Sequence, residues 1–594
     1  MSLLPSTVLS PGTAATVTES AEHVASDSSF NKSQPVHQVT TVDEAVDATA
    51  QPGVQGMEAI AIAWSKAALI VFYVLVWVVY FVTAIDSVAM GALAPYVTSS
   101  FMLHSLTPTV SIISTIATGV CNLSTAKILD VIGRPQGYAL GVFITTLGLI
   151  MMAATTSVEI YAAAQVFWSV GYSVLGFTLG IFVADTTTLK NRALMLGLAT
   201  GTPSLVATWV GGPVAEAFLA GPGWEWCYGM FSILLPVVGI PLLTLLVYYT
   251  IKAKKQNIAA RSNLPTQTNK TFMQKVKYYV LEFDLAGIIL LTTGLALFLL
   301  PFNLYPMQPK GWESPLIIGF LVAGFVLMLI FAFYEAYFSP VSFIEFRILT
   351  DRNVVGAGIL GAVLFFSNYA WASYFSSFLQ VVNGLSVTDA SYVMSISNVA
   401  WPLASVLSGI YINRTGRYKY ITLGSVLLYM FGTGLMIYFR RPDQSLGYLI
   451  MCQIFIGVAL GSIMTTPVIA AMSSLPHQQV AVVTSIISMF SAIGGAIGLT
   501  VTSTIWAAVF PERLALYLPS EEVVNLVNIY ASLEIQLSYA EGTPTRIAIQ
   551  QAYGDAQRMM LIAATAIWVI GIVATLAWRN TDVRNIKQVR GQVF

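Results

Sequence analysis

Fourteen apolar runs, each long enough to cross a bilayer, limit what this chain of 594 residues can become. A spanning helix needs about 20 consecutive apolar residues, because lipid offers no partner to a free backbone amide. The runs lie near 67–94, 108–129, 137–155, 159–184, 193–218, 228–250, 284–304, 315–337, 354–380, 387–412, 420–438, 446–471, 479–510 and 558–578. A water-soluble domain carries roughly 25% charged residues; this chain carries 9%, with 56% hydrophobic. The reading is an all-α polytopic membrane protein.

The basic residues orient the runs, since Lys and Arg collect on the cytoplasmic side. With the amino terminus inside, 22 of the 28 Lys and Arg fall in cytoplasmic segments, seven of them between 252 and 277. The outer side keeps Lys310, Arg440, Arg441, Arg513, Arg546 and Arg558. Both termini are therefore expected in the cytoplasm. Residues 1–56 are rich in Ser, Thr, Ala and Val, show no signal peptide and cannot bury much surface, so a disordered cytoplasmic tail is expected. Cys121, Cys227 and Cys452 have no close spacing and read as core thiols, and four His without a Cys/His cluster suggest no resident metal. No Walker loop, His-Glu-x-x-His or Gly-x-Ser-x-Gly occurs, so neither ATP-driven transport nor catalysis has support.

One short stretch occurs twice. Ala126-Lys-Ile-Leu-Asp130-Val-Ile-Gly133-Arg134 closes the second run, and Gly409-Ile-Tyr-Ile-Asn413-Arg414-Thr-Gly416-Arg417 closes the tenth. In each, Gly permits a tight turn and Arg is expected to hold it at the cytoplasmic lipid surface. Two copies in equivalent loops indicate duplicated halves. Their offset of eight runs, where a plain duplication gives six, places two inserted helices between the halves. The expected parts are a six-helix bundle at 57–250, a basic cytoplasmic linker at 251–283 and inserted helices 7–8 at 284–353. A second six-helix bundle at 354–578 and a short cytoplasmic tail at 579–594 follow. The stretch resembles the loop signature of the major facilitator superfamily, Gly-x-x-x-Asp-Arg-x-Gly-Arg, departing at Ala126, Val131 and Asn413. The resemblance implies the major facilitator fold and a conformational latch built from Asp130, Gly133, Arg134, Asn413, Arg414, Gly416 and Arg417. Asn413 in place of Asp suggests that the two halves contribute unequally to it.

Ionisable groups deep in a membrane are costly and mark function by default. Asp86 is the clear example, in the outward half of helix 1 with Thr83 and Met90 on its face. It is the candidate for proton coupling; a structural carboxylate bonded to a neighbouring helix is the plainer alternative. Glu216 and Asp185 read as interfacial. Polar and aromatic stripes offer a cavity: Tyr73, Tyr80, Gln165, Tyr172, Trp209, Tyr369, Trp371, Tyr374 and Asn398, where the plainer reading is glue between helices. No Lys or Arg lies at mid-membrane depth, which favours a bulky neutral solute over an anion. The segment 511–556 is long and mixes leucines with Tyr517, Tyr530, Tyr539 and Tyr553, which suits a partly helical outer lid.

Four further stretches look like the fungal siderophore-iron transporters. They are Phe182-Val-Ala-Asp185-Thr-Thr-Thr-Leu-Lys-Asn-Arg192, Gly223-Trp224-Glu225-Trp226-Cys-Tyr228, Glu282-Phe-Asp284-Leu-Ala-Gly287 and Asn413-Arg-Thr-Gly-Arg417. The likeness covers about 57–590. It implies fourteen helices and uptake of ferric hydroxamate chelates by proton symport, at the plasma membrane or an endosomal vesicle membrane. Iron would arrive caged in its chelate, so the protein needs no cofactor of its own; a monomer in the bilayer is expected, with no nucleic-acid partner. Proton antiport exporting drugs or glutathione, and a sensor that binds without turnover, remain open alternatives.

Overall fold

The computed structural model describes residues 57, 60, 63–186, 195, 197–256, 273–274, 281, 284–305, 308–339, 350–473 and 480–582. The tail 1–56, nearly all of the linker 257–283 and the end 583–594 lie outside the described residues, so the expectations for them stay expectations.

The first bundle comprises α1 (Lys66–Ser100), α2 (Val110–Val131), α3 (Arg134–Ala153), α4 (Val158–Asp185), α5 (Thr202–Ala220) and α6 (Trp224–Lys255). A hairpin of α7 (Leu285–Leu299) and α8 (Pro315–Tyr337) follows. The second bundle comprises α9 (Arg352–Ala372) with α9b (Phe375–Val381), α10 (Val387–Thr415), α11 (Lys419–Phe439), α12 (Leu446–Met472), α13 (Val480–Tyr517) and α14 (Pro544–Ala566), continued by Trp568–Ala577. Among the described residues all regular structure is helical, and eleven helices are long and apolar enough to cross a membrane. α7 is apolar but shorter, and α2 and α5 are of ordinary spanning length but less apolar, a set compatible with fourteen crossings.

Local chemistry sets the helix starts. Ser65, Ser157, Asp351, Ser386 and Thr543 each accept an otherwise orphaned backbone N–H in the first turn of the helix they precede. Small residues then let the backbones touch. A Cβ at Gly494 would sit 2.2 Å from the Ala362 carbonyl oxygen, and one at Gly498 2.6 Å from that of Phe366, so α13 meets α9 without intervening side chains. Gly148 does the same for α3 against the Trp168 backbone on α4.

The hairpin is pinned at its base by Asp284, which caps α7 through the Gly287 N–H and accepts from the Tyr334 hydroxyl of α8 at 2.9 Å. A Cβ at Gly287 would lie 2.1 Å from that carboxylate, which explains the Asp-x-x-Gly spacing. α7 leans on α2 and α13, where Leu291 and Leu299 share a buried cluster with Ile112, Ile116, Val120, Met489, Ala496 and Leu499. Much of the opposite face of the hairpin, including Ile318, Val322, Phe325 and Leu329 on α8, is exposed.

Two boundaries differ from the hydropathy reading. α13 runs through Pro511 to Tyr517 and α14 begins at Pro544, so the expected loop 511–556 contracts to 518–543 between helices. Both extensions are held by contacts that hydropathy cannot see, among them Arg513 with Asp555 at 3.6 Å and Tyr517 donating to Asp555 at 2.8 Å. Helix 9, expected as one run, breaks at Ser373–Tyr374. Side chains from elsewhere in the second bundle bond the backbone at the break: Arg440 Nη1, just past α11, reaches the Trp371 carbonyl at 2.6 Å, and Gln557 Nε2 of α14 adds a bond at 3.4 Å to the Tyr374 carbonyl, which also accepts the Phe378 N–H.

Candidate transport site and its closure

Asp86 lies on the buried face of α1, in line with Val79, Val82, Thr83 and Met90, and is 2% exposed. One oxygen, Oδ2, accepts from Trp168 Nε1 of α4 at 2.8 Å, while Oδ1 is buried without a hydrogen-bond partner among the described residues. Trp168 stacks on Tyr172 one turn along, ring centroids 5.1 Å apart. The sequence reading passed over Trp168, although it stands three residues after Gln165 and four before Tyr172, on the stripe already singled out. A Trp168→Phe variant keeps the ring and removes the donor. Hydrogen bonds to charged groups contribute about 1.5–3 kcal/mol, so gradient-driven uptake in this variant is expected to fall roughly tenfold, with substrate exchange retained; equal losses in both assays would point to a packing role.

The other candidates fall into three groups. Tyr73, Tyr80, Tyr172 and Gln165 are strung along α4 of the first bundle, from its Asp185 end toward its start. The Tyr80 hydroxyl donates to the Gly176 carbonyl at 3.1 Å, Tyr73 bonds Thr186 at 2.7 Å, and Gln165 Nε2 donates to Ser111 Oγ at 3.0 Å. Tyr73 also lines an open groove of about 550 Å³ with Leu69, Trp77, Met195 and Leu198. Tyr369 sits on the seam between bundles, bonded to Thr115 of α2 with its ring against Gly495. Asn398 is exposed on α10. Three residues are placed elsewhere. Trp371 turns into the second bundle, donating to the Tyr429 hydroxyl at 3.3 Å, and the Tyr429 ring packs in turn on Trp568. Trp209 is 56% exposed within α5, against Tyr392 of α10. Tyr374 belongs to a closure at one end of the molecule.

That end, here the lid side, carries the loops 101–109 and 518–543. The named cross-bundle hydrogen bonds there are several. Tyr96 of α1 donates to Gln380 of α9b, Tyr374 to the Ser105 carbonyl at 2.7 Å, and Thr109 pairs with Ser503 at 2.8 Å. Glu216 of α5 accepts the Thr388 N–H at the start of α10 at 2.8 Å, a carboxylate on the positive end of a helix. The short lid helices Leu526–Ala531 and Leu533–Ser538 lie over this seam, the Leu533 N–H donating to Ser99 at 2.9 Å. Arg546 fastens the lid to α9b through the carbonyls of Gln536 and Gln380, and Tyr553 donates to Gln536 Oε1 at 2.7 Å. Sequence reasoning missed most of these, because no periodicity links a loop residue to a helix hundreds of positions away.

At the opposite end, the duplicated loops tie each bundle to itself. Gly133 has φ 114° and Gly416 φ 69°, backbone conformations that side chains rarely adopt. Arg134 was expected at the lipid surface; it is instead 4% exposed, its Nε 3.4 Å from Asp185 Oδ2 at the end of α4. A buried guanidinium needs a counter-charge, and Asp185 supplies it within the same bundle. In the second copy Arg414 and Arg417 are exposed, while Lys419 donates to the carbonyls of Leu576 and Trp578 at 2.7 and 2.8 Å. The side chains of Asp130 and Asn413 lie outside the described residues.

Two helical bundles meeting at paired seams, shut at one end and holding a buried carboxylate between helices, define a membrane transporter of the alternating-access class. Comparison with known proteins agrees. The model of the Major Facilitator Superfamily matches residues 76–340 and 333–499. The chain is 48% identical to MFS siderochrome iron transporter 1 of Ajellomyces capsulatus, over 94% of both chains. It is 37% identical to Siderophore iron transporter mirB of Emericella nidulans, over 97% of this chain and 95% of the relative. Among solved structures, a bacterial homologue of the human lysosomal transporter Spinster superposes with a TM-score of 0.52 at 14% identity, covering 86% of this chain and 97% of that one. The chain belongs to the fungal siderophore-iron transporters of the major facilitator superfamily.

Proposed function

We propose that this protein imports ferric siderophore chelates of the hydroxamate type, with protons moving in the same direction. The observation that carries the reading is near-complete alignment with a named siderochrome iron transporter at 48% identity. The buried Asp86–Trp168 pair supports the proton half, since an ionisable group inside a bundle is retained at a cost. Uncharged Gln165 and Tyr172 on α4 and Tyr369 on α9 suit a neutral chelate. Iron enters only as cargo.

The distribution of Lys and Arg favours a lid side outside and both termini in the cytoplasm, and the proposed location is the plasma membrane or an endosomal vesicle membrane. One chain supplies both walls of the path, so a monomer suffices. The test is uptake of radiolabelled ferric hydroxamate by cells lacking other carriers. Accumulation that rises with external acidity and collapses with a protonophore is expected. Efflux of preloaded substrate under the same gradient would establish antiport, and binding without accumulation would establish a sensor.

A further inference from the structure

The lid-side closure holds a titratable group that the transport reading leaves unused. His104 opens the short 3-10 turn His104–Leu106 between α1 and α2 and is fully buried. The chain is forced into this position: Met102 has φ 57°, and the N–H groups of Met102 and Leu103 donate back to Ser99 and Thr98 at 2.8 and 2.9 Å. These are the bonds of a left-handed turn at the C-terminus of α1. The turn sets His104 against the second bundle. The imidazole meets the rings of Tyr374 and Trp506 at centroid distances of 5.8 and 6.0 Å, and Trp506 stacks between Tyr374 and Phe510 at 4.1 Å from each. Nδ1 lies 3.4 Å from Ser99 Oγ, while Nε2 is buried with no hydrogen-bond partner among the described residues.

The titratable and charged groups around this pocket are Tyr96 from α1, Tyr374 from the break in α9, Tyr530 from the lid, and Tyr553 and Arg546 from α14. α13 presents Trp506 and Phe510, which do not titrate. The carboxylates of Glu534 and Glu216 act on Tyr96, whereas His104 is governed first by burial and then by the Pro95 carbonyl. No carboxylate is among the groups that act on the imidazole, so an imidazolium formed here would meet no counter-charge.

We propose that His104 is a second proton-binding site of the transporter, filled only when the lid-side closure opens, so that acid on that side holds the closure open. The proposal rests on the alternating-access reading but not on the identity of the cargo. Burial pushes the imidazole down to about 4 from an ordinary value of about 6.5. The open, hydrated form therefore binds the proton more tightly than the closed form. The closure keeps its full stability above pH ~6.5, and the closed-to-open ratio falls by up to about tenfold per pH unit as pH drops toward about 4.

The experiment uses the full-length protein in proteoliposomes with Leu533→Cys as reporter, since Leu533 belongs to the lid and is fully buried while the closure is formed. An impermeant maleimide is added on the lid side, and its rate is normalised at each pH to that of a soluble thiol. Protein without the reporter gives the background of Cys121, Cys227 and Cys452. The normalised rate is expected to rise about tenfold between pH ~6.5 and ~5, and the rise is expected to vanish in His104→Gln, or in His104→Asn should the first variant not reach the membrane. A flat profile in the parent overturns the proposal, and so does an equal rise in the variants. Because no substrate is transported, a mistaken cargo would leave this result unchanged.

Discussion

Asp86→Asn is expected to abolish gradient-driven accumulation of chelate while leaving exchange across the membrane in place. The amide keeps the shape of the side chain, and its oxygen still accepts from Trp168 Nε1, but it carries no exchangeable charge. A coupled proton crossing a gradient of one pH unit delivers about 1.4 kcal/mol, enough for roughly tenfold accumulation. The variant should equilibrate its substrate and go no further. A cost comes with the substitution. Asp86 Oδ1 has no donor or acceptor opposite it among the described residues, so the new amide leaves buried N–H groups unpaired, worth about 1–3 kcal/mol of stability. Surface expression and exchange must therefore be read in the same vesicles. Accumulation that survives in the variant would assign the coupling proton to another group.

The second large effect concerns the lid. Replacing residues 520–541 with a short Gly/Ser linker removes the Leu533–Ser99 contact, the Tyr553–Gln536 bond and the anchor that Arg546 takes on Gln536. Each is buried, and their joint loss leaves Ser99, Arg546 and Tyr553 without those partners. Loss of only about 1.4 kcal/mol of differential binding changes a dissociation constant tenfold. The substrate concentration for half-maximal uptake should rise by about that factor, with the amount of protein at the surface unchanged. Unaltered kinetics would show the lid to be dispensable.

The sequence disclosed whatever depends on composition and period. Apolar runs disclosed the helices, basic residues suggested an orientation, and the repeated glycine–arginine loops disclosed the duplication. Asp86 stood out because a carboxylate amid valines is improbable without a reason. What stayed hidden depends on contacts between distant segments. The indole that Asp86 uses lies 82 residues away. Arg134 looked like any basic loop residue until Asp185 came to meet it. Trp371 and Tyr374 stood near Tyr369 in the same run, yet the three take different neighbours around the break at Ser373–Tyr374. Hydropathy ended helix 13 near Pro511, although packing against α14 carries it to Tyr517.

The hairpin α7–α8 has a consequence for motion. Its buried face joins α2 from one half and α13 from the other in a single apolar cluster. Any swing that parted α2 from α13 along their whole length would expose that cluster, and close-packed cores resist gradual deformation. The two seams are thus unequal. The α2–α13 seam, strapped from the lipid side, behaves as the spine of a book. The α5–α10 seam, held by Glu216 on the Thr388 N–H and by Tyr392 on the Trp209 carbonyl, is expected to be the fore-edge, where the covers swing farther apart.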